Sequence, residues 1–209
     1  MTPFVKKLVD AAEAEWVRWG GSVWRLGERP RIAGEETDDV LWQVVAEYWK
    51  ANNPKSRKHG RDRVPWSGAF IVYCFKKAGA GANFPYSDNH SAYLASVEGG
   101  GYPSFSVVDP ARTPVSVGDL VWNPRTGDRC RPPPITFKSA KAELGKISSN
   151  KASTFCSHCD IVVDVQPNRV VTIGGNMGQS VRKTTWVADA QGRIADGREN
   201  WIGIVKNGL

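Results

Sequence analysis

Val64-Pro65-Trp66-Ser67-Gly68-Ala69-Phe70-Ile71-Val72-Tyr73-Cys74-Phe75 is the stretch on which the reading of this chain turns. Proline suits the first turn of a helix, where its missing N–H is not needed. Ala69, Phe70, Val72, Tyr73 and Phe75 then read as a buried helix over 66–78 that stops at Gly79. Ser67 therefore falls at the N-terminus of a core helix. Unpaired N–H groups and the positive end of the helix dipole favour a developing negative charge there.

Helical spacing of Phe4, Leu8, Ala12 and Trp16 predicts a helix at the start of the chain. A second is expected from Asp38 to about Lys50, capped by Thr37, and another from Ser87 or Asp88 to Glu98. Strands are expected at 117–122, 159–165, 169–174, 181–188 and 201–206. The Pro- and Lys-rich interval 123–157 reads as an insertion loop or lid. The chain is thus expected to be one α+β domain over 1–209, with 1–60 as an N-terminal helical extension and a C-terminal antiparallel sheet.

The 209 residues carry a net charge of +7, with 41% hydrophobic residues and nine Trp. Such a chain can bury a real core, and its charge favours polyanionic surroundings. Lys55, Arg57, Lys58, Arg61 and Arg63 form the densest basic stretch, most simply a solvated loop. No nucleic-acid-binding signature accompanies it, so no specific nucleic-acid partner is expected. No apolar run reaches about 18 residues, so no membrane span is expected. The N-terminus lacks the pattern of a signal peptide, which points to delivery by a secretion system or a phage. Cys156 and Cys159 flank His158 without the second pair that a zinc site usually needs, so no metal and no cofactor is expected. A Cys130–Cys156 disulfide would staple the loop between them in an oxidising compartment.

Ser157-His158-Cys159-Asp160 opens an apolar strand, which places His158 at a sheet end. Trp-Ser-Gly-Ala-Phe at 66–70, Gly-Asp-Leu-Val at 118–121, His158 before Ile161-Val162-Val163 and Gly174-Gly175-Asn176 follow one another in a fixed order. That order resembles the NlpC/CHAP-type clan of papain-like hydrolases. Those enzymes typically carry Trp-Cys-Ala-Ala-Phe, Gly-Asp-Ile/Leu-Val, His-Val-Gly-Ile-Val and Glu-Gly-Asn. Val64 to Val72, Phe84-Pro85-Tyr86-Ser87 with His90, and His158 to Val163 resemble more closely a bacterial and phage family of that clan, a domain of unknown function with Ser in place of Cys.

The resemblance implies a papain-like fold and assigns roles by position. Ser67 takes the nucleophile position, His158 the general base and Asn176 the group that orients the imidazole. The clan's Glu is Gly174 here, and Asp160 is its expected replacement, because residues i and i+2 share a strand face. Trp66 and Tyr86 are expected to bind substrate, and His90 to bind substrate or assist catalysis. A cysteine at this position can rest as a thiolate, whereas a serine hydroxyl needs a neutral imidazole to take its proton during attack.

The resemblance further implies hydrolysis of an amide bond in peptidoglycan, in the periplasm or at the cell wall, by an antibacterial effector or phage lysin, with a cognate immunity or inhibitor protein as a second partner. The alternatives are an inactive module that binds the wall or a protein, and acyl transfer on a non-wall substrate.

Overall fold

The computed structural model describes residues 1–126 and 130–209. Helix α1 (Pro3–Arg18) starts at Thr2, whose side chain accepts from the Val5 amide, and it buries Val5, Leu8 and Ala12. Helix α2 spans Leu41–Asn52, α3 Ser67–Ala78, α4 His90–Glu98 and α5 Phe137–Ser148. Gly79 ends α3 at φ 88°, a left-handed stop that favours glycine.

The strands are β1 Ser22–Trp24, β2 Phe105–Val108, β3 Leu120–Pro124, β4 Ser157–Gln166, β5 Arg169–Gly174, β6 Arg182–Val187 and β7 Gly203–Asn207. They form one sheet in the order β1-β6-β5-β4-β3-β7-β2. All pairings are antiparallel except the edge pair, where β1 lies parallel to β6. The expected C-terminal antiparallel sheet is therefore a mixed one that takes its outermost strand from the N-terminal region.

Three local expectations are corrected. Helix α2 begins at Leu41 without a side-chain cap, not at Asp38 under Thr37. The Asp38 carboxylate accepts from the Glu35 amide at 2.9 Å and holds those residues in a turn. The interval 123–157 is not a bare loop. It contains α5, which is capped reciprocally by Thr136 and Ser139 and buries Ala140 and Leu144; residues 127–129 of that interval lie outside the described residues. Strands β1 and β2 were too short to be read from the sequence.

The sheet separates two apolar clusters. The larger packs α1–α4 against Leu120, Trp122, Cys159, Ile161 and Ile173. The smaller joins Val121, Val162, Val170, Trp186 and Ile204 to Val115, Ala188 and Ile194. Alternation along β4 sends Cys159 and Ile161 into the first and Val162 into the second. Each large side chain removed from water in this way contributes about 1.5–3 kcal/mol. Trp19, Trp66, Trp122 and Trp186 are all fully buried, so core packing accounts for much of the tryptophan content. The start of α3 is consequently held rigidly against the ends of β4 and β5. No helix among the described residues is long and apolar enough to cross a membrane.

Candidate active site

Ser67 is the first residue of α3, and the N–H groups of that turn have no intrahelical acceptors. Its hydroxyl lies 2.7 Å from His90 Nε2. His90 opens α4, whose start is fixed by Asn89 Oδ1 accepting from the Ala92 amide. The two helix starts can approach because residue 68 is glycine. A Cβ there would lie 2.1 Å from the Asp88 carbonyl oxygen.

His90 Nδ1 in turn lies 2.7 Å from the Tyr93 hydroxyl, one helical turn along. Burial, followed by the neighbouring charges of His158 and Arg125, pushes the His90 imidazole well below its ordinary pKa. His90 is therefore neutral near pH 7. Burial likewise raises the Tyr93 hydroxyl and the Cys159 thiol, so both keep their protons.

His158 comes from the opposite wall. Its ring centre is 5.5 Å from that of His90, and its Nε2 lies 2.7 Å from Asp160 Oδ1. The other Asp160 oxygen accepts from Thr172 Oγ1 at 3.1 Å, and Thr172 Oγ1 accepts from Trp186 Nε1 at 2.8 Å. Burial opposes ionisation of Asp160, but the charge and hydrogen bond of His158, with Arg125 and Thr172, hold its pKa below the ordinary value. Gly174 makes room for this carboxylate, since a Cβ there would fall 1.7 Å from Asp160 Oδ1 and 3.1 Å from His158 Nε2. A larger side chain at 174 and the carboxylate at 160 therefore exclude one another.

A cavity of about 650 Å³ opens over these groups, lined by Ser67, His90, His158 and Asn176, with Lys58 and Arg125 as cations and Trp49 and Phe155 as aromatic surface. The Cys130–Cys156 disulfide forms part of its wall and closes a separation of 26 residues. Arg125 is anchored by Glu199 at 3.3 Å, and Lys58 sits 4.0 Å over the Trp49 ring.

The structure thus gathers Ser67, His90, His158 and Asn176 around one cavity, with Asp160 behind His158 and two departures from the expected roles. The hydroxyl of Ser67 is hydrogen-bonded to His90 and not to His158. The group on His158 Nε2 is Asp160 and not Asn176. Asn176, at φ 60°, instead has its side-chain oxygen beside the Gln179 side chain; with the Gln179 amide turned so that its nitrogen faces these acceptors, it donates to Asn176 Oδ1 at 2.9 Å and to the Glu36 oxygens at 3.2 and 3.1 Å.

Trp66 and Tyr86 do not line this cavity. Trp66 is fully buried, stacks on Trp19 at 5.0 Å and donates from Nε1 to Glu36 Oε2 at 2.6 Å. Tyr86 packs edge-on against Phe84 at 5.5 Å under Lys76 and does not line the cavity. Sequence reasoning missed Tyr93 and Glu36. Tyr93, three residues after His90, is the one whose spacing could have pointed to it.

Among the described residues, no group of three or more His, Cys, Asp or Glu side chains is arranged to hold a metal ion. Residues 36–206 match the family described as "Uncharacterized protein conserved in bacteria (DUF2272)", and the chain belongs to that family. No curated protein and no solved structure matches it.

Proposed function

Taking membership of that bacterial family as the premise, we propose that the protein is a papain-like hydrolase of the NlpC/CHAP type that cuts an amide bond in peptidoglycan. The observation that carries this reading is the Ser67 hydroxyl, 2.7 Å from a buried imidazole at the start of a core helix. The His158–Asp160 pair and Asn176 share its cavity. Serine is the nucleophile, its Oγ adding to the amide carbonyl carbon. Backbone N–H groups at the helix start receive the oxyanion, an interaction worth about 3–4 kcal/mol per donor.

The motif order shared with papain-like hydrolases supports the fold assignment. The wall substrate is supported by the clan's usual chemistry, the +7 charge and the aromatic and cationic cavity surface. The Cys130–Cys156 disulfide supports action in an oxidising compartment such as the periplasm. On this reading the protein reaches the wall as a secreted effector or phage component and meets a cognate inhibitor.

Serine in place of cysteine also supports a second reading, an inactive module that binds the wall or a protein partner through the same cavity. Digestion of purified sacculi, followed by mass spectrometry of the soluble products, separates the two. The hydrolase releases peptide-bearing fragments with new amino groups, and Ser67→Ala releases none. Saturable binding to sacculi without any new amine contradicts the hydrolase.

A further inference from the structure

We infer that His90 on α4, rather than the histidine on the strand, is the base that activates Ser67. This rests on the reading of Ser67 as the nucleophile and assigns the proton transfer within it.

His90 Nδ1 lies 2.7 Å from the Tyr93 oxygen, which can accept a proton held there. With its proton on Nδ1, neutral His90 carries a lone pair on Nε2, 2.7 Å from Ser67 Oγ. That nitrogen accepts the serine O–H, which is the arrangement a serine nucleophile needs before attack. His158 has its Nε2 committed to Asp160 and makes no hydrogen bond to Ser67.

The setting of His90 supports the assignment. Burial keeps it neutral, and the charged or titratable groups that act on it are His158 on β4, Arg125 just past β3, and Tyr93 on its own helix. A serine gains nothing from an imidazolium, which cannot accept a proton. As Oγ bonds to the carbonyl carbon, its proton passes to His90 Nε2. When the C–N bond breaks, the nitrogen leaves with that proton. Water then adds to the acyl carbon, and its proton travels through Nε2 to Ser67 Oγ as the ester bond breaks.

A fluorophosphonate probe tests the first transfer without the natural substrate. Ser67 Oγ bonds to phosphorus, fluoride leaves, and the hydroxyl proton passes to the base. Labelling of the full chain is followed by intact mass, with thermal melting as a check on folding. The expected results are labelling of wild type at Ser67, none in Ser67→Ala, and a rate about 10²–10⁴-fold lower in His90→Gln. His158→Gln is expected to slow labelling less than His90→Gln does. Labelling of His90→Gln at the wild-type rate, with loss in His158→Gln, overturns the inference and leaves the nucleophile in place. Absence of labelling in wild type overturns the nucleophile and the inference together. Should His90→Gln fail to fold, Tyr93→Phe decides: a slowing of about tenfold, the value of one lost hydrogen bond, supports the assignment, and an unchanged rate overturns it.

Discussion

On the helix wall of the cavity, His90 is backed by Tyr93, whose hydroxyl burial keeps protonated and uncharged. On the strand wall, His158 is backed by Asp160, an ionised carboxylate, and then by Thr172 and Trp186. Two imidazoles whose ring centres lie 5.5 Å apart therefore belong to two different hydrogen-bond chains. The uncharged chain does nothing to stabilise positive charge, and it ends on the serine. The ionised chain commits the His158 Nε2 to a carboxylate and does not reach the serine.

Each chain depends on one glycine, and substituting either breaks one side of the comparison. In Gly68→Ala the new Cβ meets the Asp88 backbone, where a Cβ would sit 2.1 Å from the carbonyl oxygen, so the start of α4 must retreat from Ser67. The largest effect is expected here: fluorophosphonate labelling falls by two or more orders of magnitude, on the scale of a lost general base. In Gly174→Ala the new Cβ meets the Asp160 carboxylate, which must leave His158. Overpacking of this kind costs about 1–3 kcal/mol, visible in denaturant unfolding, while labelling of Ser67 persists. Equal loss of labelling in both variants would mean that the two walls act as one unit.

Acid unfolding sharpens the same contrast with a smaller effect. Burial holds the His90 pKa below its unfolded value of about 6.5, so below that pH the unfolded chain takes up a proton that the native chain does not. Stability contributed by His90 is complete above that pH and is lost as pH falls toward the folded value, by about 1.4 kcal/mol per pH unit. The lowered pKa of Asp160 acts in a separate window. Its contribution is complete above the ordinary aspartate value of about 3.9 and is lost only at lower pH. Urea titrations at pH 7, 6 and 5 are expected to show a shallower decline for His90→Gln than for wild type. Parallel declines would mean that His90 is protonated in the native state.

Long apolar patterns made much of the architecture legible. Leu8 and Ala12, then Phe70 to Phe75, repeat with helical spacing over enough turns to be read. The apolar runs of β4 and β5 were equally clear. Helix α5 was not, because only Ala140 and Leu144 are fully buried in twelve residues, too few to rise above its lysines. Strands β1 and β2, of three and four residues, are defined by their partners β6 and β7 rather than by their own periodicity.

At the site, Ser67 and His158 drew attention by position, at a helix start and a strand end, and Asp160 entered through the resemblance, because an i, i+2 pair on a strand shares a face. The Ser67–His90 bond was not. It requires two helix starts, 23 residues apart in the chain, to meet over a glycine. Trp66 was misplaced for the opposite reason, since the Trp19 stack and the buried Glu36 draw it into the core.

Nitrogen-15 NMR of the His90 ring from pH 7 to pH 5 tests the central claim most directly. The account predicts a neutral ring at pH 6, with its proton on Nδ1 and a bare Nε2 facing Ser67. A proton on Nε2, or a doubly protonated ring at that pH, would contradict it.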